Sequence, residues 1–183
     1  MINSKSITLK KSRIFLGLCI SLITGILIGR LFITYYEAST IKPWNWTSPP
    51  FVLNCYGERL HAGYINKSVD YWTDKGERVL FIQHEPVKSL CKKRYKQIPG
   101  VIKIYEAHDD FFDSSATLGV TMRKSSITTG MISANIYIRS GNYTIKNLLT
   151  HEMGHAFGYT HVNTPGHIMH PVTELMGDKF WIP

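Results

Sequence analysis

From residue 51 onward the apolar positions fall into short runs and alternations separated by polar turns. Phe51 to Tyr56 reads as a strand. Tyr64 to Lys75 places Ile65, Val69 and Trp72 on one side of a helix, and Gly76 can end it in the left-handed region. Val79 to Ile82 is a short apolar run of strand type. Pro99-Gly100 is a turn, and the β-branched residues between Val101 and Tyr105 predict a strand behind it. Two further strands are expected over Leu118 to Arg123 and Met131 to Arg139, the second alternating through Ile132, Ala134, Ile136 and Ile138. Gly141-Asn142 turns the chain, and Thr144 can cap a helix from Ile145 to about Tyr159. Strand, helix, several strands and helix together predict an α+β domain: a twisted mixed sheet of about five strands packed on helices.

The amino-terminal pattern is different. Ile14 to Gly29 carries no charge over 16 residues; Arg30 interrupts the run, and Leu31 to Tyr36 is again apolar or aromatic. As a helix, residues 14–36 would reach about 34 Å, enough to span a bilayer core with Arg30 snorkelling. Small residues spaced for signal-peptide cleavage are poorly matched by Tyr35-Tyr36-Glu37-Ala38-Ser39-Thr40. The expected organisation is therefore a basic cytoplasmic tail over 1–13, an uncleaved transmembrane signal anchor over 14–36 and a stalk over 37–50. A single domain over 51–183 would then face outward. The alternative is secretion after cleavage of a signal peptide. Pro43, Pro49 and Pro50 stiffen the stalk, and Trp44 and Trp46 suit a membrane interface.

Composition changes this picture little. The 183 residues suffice for one ordinary domain, and 44% hydrophobic residues exclude disorder as the main state. The net charge of +8 suggests nucleic acid until it is located. Lys5, Lys10, Lys11 and Arg13 lie in the tail, whereas 16 basic residues face 13 acidic ones beyond residue 36. The one dense basic run, Lys92, Lys93, Arg94 and Lys96, reads as a solvated loop, so no nucleic-acid partner is expected. Cys19 falls inside the apolar run. Cys55 and Cys91 are either a disulfide or two isolated thiols.

The chemistry is concentrated in His151-Glu152-Met153-Gly154-His155-Ala156-Phe157-Gly158-Tyr159-Thr160-His161. Residues four apart lie about 40° apart around a helix, so His151 and His155 present both imidazoles on one face. Two neutral imidazole nitrogens can then share one Zn²⁺. Glu152 lies beside that face, near enough to reach a water without replacing it. Gly158 can take positive φ and turn the chain back, bringing His161 as a third ligand. Three protein ligands leave a fourth position open, which separates a catalytic zinc site from a structural one. Surface histidines on an ordinary helix would explain two of these positions, but not the added Gly158 and His161.

This HExxHxxGxxH run resembles the signature of the metzincin zinc metallopeptidases. The segment Pro165-Gly166-His167-Ile168-Met169-His170-Pro171 is most similar to the matrix metalloproteinase branch. The resemblance is specific from His151 to Pro171 and weaker over the rest of 51–183. It implies a metzincin-like fold with one antiparallel edge strand, Leu118 to Arg123, above a long zinc-binding helix. It also implies that Met169 packs beneath the metal. No cysteine-switch propeptide is visible, and His170 stands where relatives often carry tyrosine. His108, Asp109, Asp110 and Asp113 echo the family's structural-metal loop, where Ca²⁺ or a second Zn²⁺ would bind, but they read better as a solvated acidic loop.

The activity this implies is hydrolysis of peptide bonds in a protein or peptide substrate. One catalytic Zn²⁺ would be held by His151, His155 and His161, with Glu152 as the base. Two other readings are a zinc hydrolase of a non-protein amide such as cell-wall material, and an inactive metal-bound interaction module. Zinc binding alone does not require Glu152, which weighs against the last.

Overall fold

The computed structural model describes residues 20–31 and 41–182. Residues 20–31 form a helix, α1. The expected span 14–36 lies partly outside the described residues, as do the tail over 1–13 and residues 37–40. Among the described residues, no helix is long and apolar enough to cross a membrane.

A second unit comprises Ile41–Trp181. It contains β1 (Phe51–Asn54), α2 (Ala62–Thr73), β2 (Phe81–Gln83), α3 (Lys88–Cys91), β3 (Val101–Ala107), β4 (Gly119–Ser126), β5 (Gly130–Arg139) and α4 (Leu148–Ala156). The five strands make one sheet in the order β2-β1-β3-β5-β4. Its pairs are parallel except β4 with β5, so β4 is an antiparallel edge strand. This agrees with the α+β mixed sheet expected from the sequence.

The alternation of side chains explains the layers. Ile102 and Ile104 of β3, with Ala134, Ile136 and Ile138 of β5, are fully buried in a core shared with Ile65, Val69 and Trp72 of α2 and Leu149 and Met153 of α4. Their neighbours at the other parity face away, where Tyr105 and Tyr137 pack with Phe111, Phe112, Cys55 and Cys91. Cys55 and Cys91 are bridged, which ties α3 to the end of β1. The basic run beside that bridge is exposed at Lys92, Lys93 and Lys96. Arg94 departs from a solvated loop: it bonds the Glu106 carbonyl and lies over the Phe111 and Tyr137 rings.

Two local expectations need correction. The compact unit begins at Ile41, so residues 41–50 are part of it and not a free stalk. Ile41 is buried, the Thr160 N–H donates to its carbonyl at 2.7 Å, and Trp46 Nε1 donates to the Ala156 carbonyl at 2.9 Å. The tryptophans thus cover the end of α4; burying an indole and satisfying its N–H there is what holds the segment down. The helix that carries His151 and His155 is also shorter than expected. Residues Asn142–Thr144 form a 3₁₀ turn, so Thr144 does not cap it; Asn147, in the left-handed region at φ 65°, precedes α4 instead. The Asn147 side chain donates to the Gly177 carbonyl at 2.9 Å, an anchor distant in sequence.

Candidate metal centre

Helix α4 is held from below. Trp72 Nε1 donates to the Thr150 carbonyl at 2.7 Å. A Cβ at Gly154 would come within 2.4 Å of both Met169 Sδ and the Trp72 ring, so only glycine lets the helix sit this low. Beyond Ala156 the chain reverses at Gly158, whose φ is +104° and whose missing side chain leaves room for the Trp44 carbonyl. That reversal returns His161 to the helix face.

The three predicted ligands come together. His151, His155 and His161 each offer one nitrogen, and these atoms lie within 4.8 Å of one another. His151 is buried, His155 partly exposed and His161 exposed, so the cluster opens on one side. The ring orientations are set by backbone carbonyls: Ile168 O lies 2.9 Å from His151 Nδ1, and Tyr159 O lies 2.8 Å from His155 Nδ1. A carbonyl only accepts, so both Nδ1 atoms carry the proton and both Nε2 lone pairs are left for a metal. His155 Nε2 and His161 Nε2 approach to 3.0 Å, a separation suited to two lone pairs directed at one cation. The three histidines could hold a metal ion, and the donor chemistry fits.

Met169 is fully buried under α4, in the turn that supplies the Ile168 carbonyl to His151. His167 braces that turn: its Nδ1 accepts the Met169 N–H at 3.0 Å and its Nε2 donates to the Trp181 carbonyl at 3.1 Å. His170 is buried and accepts the Val172 N–H on Nδ1 at 3.0 Å; it is not part of the three-nitrogen cluster. Among the described residues that cluster is the one group of three or more His, Cys, Asp or Glu side chains close enough together to hold a metal. Asp109 is instead turned to Arg139, whose Nη1 donates to its carboxylate at 2.6 Å.

Glu152 is held from the sheet. The Thr121 hydroxyl donates to Glu152 Oε2 at 2.6 Å and lies 2.9 Å from the Glu152 carbonyl. A Cβ at Gly119 would meet Glu152 Oε1 at 2.8 Å, so glycine at this strand position makes the space the carboxylate fills. Burial pushes the Glu152 carboxyl up to about 7, with the Thr121 hydrogen bond pulling the other way. Arg123, two residues further on the same face of β4, donates from Nη1 to the Tyr159 carbonyl at 3.0 Å. Sequence reasoning missed Thr121 and Arg123 as site residues. The period-two spacing of Gly119, Thr121 and Arg123 was a signal that they share one face, but not which face.

Two hollows meet at the cluster. The larger, about 540 Å³, runs between β4 and the histidines, bordered by Thr121, Arg123, His155 and Thr160. The second, about 330 Å³, is lined by Leu118, Leu148, His151, Pro171 and Met176. Gly119, Glu152 and His161 border both. The Arg139 N–H donates to the Leu118 carbonyl, and residues 119 and 138 are in register. By antiparallel alternation Val120 is therefore hydrogen-bonded into the sheet, and Gly119, Thr121 and Arg123 turn their backbone groups outward.

Burial also lowers the imidazoles, His151 to about 4 and His155 to about 3, from 6.5. In metal-free protein between about pH 4.5 and 6.5 the unfolded chain protonates both, while the folded chain does not. Glu152 acts in the opposite sense, keeping a proton in the folded state that the unfolded chain has lost. Two protons outweigh one, so stability falls as pH falls through this window. Thermal unfolding in chelator should show the midpoint dropping from pH 6.5 to 4.5, with a flatter profile for His155→Ala. A midpoint that rises on acidification would contradict this balance.

No family model matches the chain, and no curated protein and no solved structure matches it either.

Proposed function

We propose that this chain is a zinc-dependent endopeptidase, anchored to a membrane through residues 14–36, with the unit from Ile41 outside the cytoplasm. The observation that carries the reading is Glu152. Its carboxylate is buried, held by Thr121, and borders the same open cleft as His155 and His161 of the three-histidine cluster. Burying a carboxylate is costly and adds nothing to a three-histidine site, so a purely structural or inert metal module does not account for it. Three neutral nitrogen donors with a further position open match catalytic zinc, and the HExxHxxGxxH run with Met169 resembles the metzincins.

His151, His155 and His161 would hold the Zn²⁺, which when bound supplies Lewis acidity toward water and a peptide carbonyl. Glu152 takes the proton of the attacking water on its carboxylate and returns it to the leaving amine. In the metal-free chain burial raises the Glu152 carboxyl toward neutral pH, the direction that suits a base which accepts and then releases this proton. The outward backbone groups of Gly119, Thr121 and Arg123 suit an extended peptide laid along β4, which would gain affinity and orientation from main-chain pairing. This free strand edge favours a peptide over a non-protein amide.

Proteome-derived peptides incubated with the zinc-loaded full chain and sequenced by mass spectrometry should show new internal cleavages, abolished by chelator and restored by added Zn²⁺. Cleavage of cell-wall amides without cleavage of peptides would replace this reading with the hydrolase of non-protein amides.

A further inference from the structure

Arg123 has no counterpart in the chemistry described so far. It borders the larger hollow together with His155 and Thr160 and does not border the second recess. Its guanidinium is partly buried, and burial disfavours its charge. The hydrogen bond it makes is to the Tyr159 carbonyl, a neutral acceptor. Among the described residues no carboxylate pairs with it: the ion pairs are Lys42–Glu77, Arg59–Glu106 and Arg139–Asp109. Glu152 is the one acidic residue lining that hollow, and it is committed to Thr121.

A planar guanidinium presents five donors and suits a carboxylate in a forked pair. Placing it without an anion in a cleft whose histidines would also hold a divalent cation costs electrostatic free energy, which an anion arriving with the substrate would offset. Arg123 lies two strand positions from Thr121, about 7 Å along β4. Thr121 marks the position of Glu152 and therefore of the bond to be cut. A group within reach of the guanidinium thus belongs to a substrate residue some two or three positions from that bond, on the side away from the second recess.

Building on the endopeptidase reading, we propose that Arg123 selects substrates carrying a carboxylate at that distance, an acidic side chain or a chain-terminal carboxylate. The competing role is structural. Tyr159 O accepts from both Arg123 and His155, so Arg123 could serve only to hold the carbonyl that orients a metal ligand.

Binding separates these without relying on turnover. Zinc-loaded full chain carrying Glu152→Gln would be titrated by fluorescence anisotropy with extended, terminally blocked peptides in which Glu is exchanged for Gln position by position. One position should favour Glu by about tenfold, the worth of one charge-assisted hydrogen bond. Adding Arg123→Gln should bring that ratio below about twofold, and Arg123→Lys should keep part of it. A matched peptide with a free terminal carboxylate in place of the Glu side chain identifies which source is read. No Glu preference at any position and none for the terminal carboxylate, or a preference untouched by Arg123→Gln, would overturn the proposal. Loss of zinc in Arg123→Gln with the preference intact would assign the residue to the Tyr159 carbonyl alone. Failure of the unsubstituted chain to cut any peptide would overturn the endopeptidase reading, while the binding ratio would still judge Arg123.

Discussion

Glu152→Gln is expected to reduce peptide hydrolysis by at least about a hundredfold, about 2.7 kcal/mol in barrier, while leaving metal and fold in place. The amide matches the carboxylate in shape, so it fills the space left by Gly119, and its oxygen can still accept the Thr121 hydroxyl. It cannot take a proton from water. Removing a buried acid in favour of a neutral group also removes a desolvation cost, so the unfolding midpoint should hold or rise. Steady-state kinetics on one cleaved peptide, with zinc content and thermal unfolding on the same samples, distinguish the outcomes. Loss of kcat and kcat/KM together, with zinc content and unfolding midpoint kept, supports the assigned base. Turnover within a few fold of normal would move the proton chemistry to another group, and loss of zinc would make Glu152 a structural part of the centre.

His155→Ala should act on the metal itself. The chain is expected to carry about one Zn²⁺, held by three nitrogens. Removing the middle ligand leaves two, and zinc content should fall to a small fraction, with hydrolysis falling about a thousandfold or more. A second readout is independent of activity. Zinc that binds only the folded chain raises its stability by mass action, about 4 kcal/mol at a thousandfold excess over Kd. Chelator should therefore lower the unfolding midpoint of the unsubstituted chain and leave that of His155→Ala nearly unmoved. Elemental analysis showing full zinc content in the variant would remove α4 from the site.

The three-histidine cluster was readable because it is local. His151 and His155 are fixed by the pitch of one helix turn, and Gly158 and His161 follow within six residues, so spacing alone constrains geometry. Strand positions were readable for a similar reason: alternation of apolar residues in β5 reports one buried face. The helix start was not, because Asn147 is positioned by the Gly177 carbonyl, thirty residues away. Residues 41–50 read as a linker because prolines and tryptophans are compatible with both a stalk and a docked segment. Their burial depends on a groove at the end of α4 that the local sequence does not describe.

What the sequence determined by itself was therefore the α+β pattern, the three histidines, and the carboxylate beside them, each a matter of short-range periodicity. Tertiary structure decided everything that joins distant segments. It paired β4 to β5 in the register that turns Gly119, Thr121 and Arg123 toward α4, it closed the Cys55–Cys91 bridge, and it supplied the Ile168 and Tyr159 carbonyls that orient two of the imidazoles. The physical reason is that a backbone carbonyl or a missing Cβ has no signature in residue type. Its role exists only once packing brings the partner within hydrogen-bond or van der Waals distance.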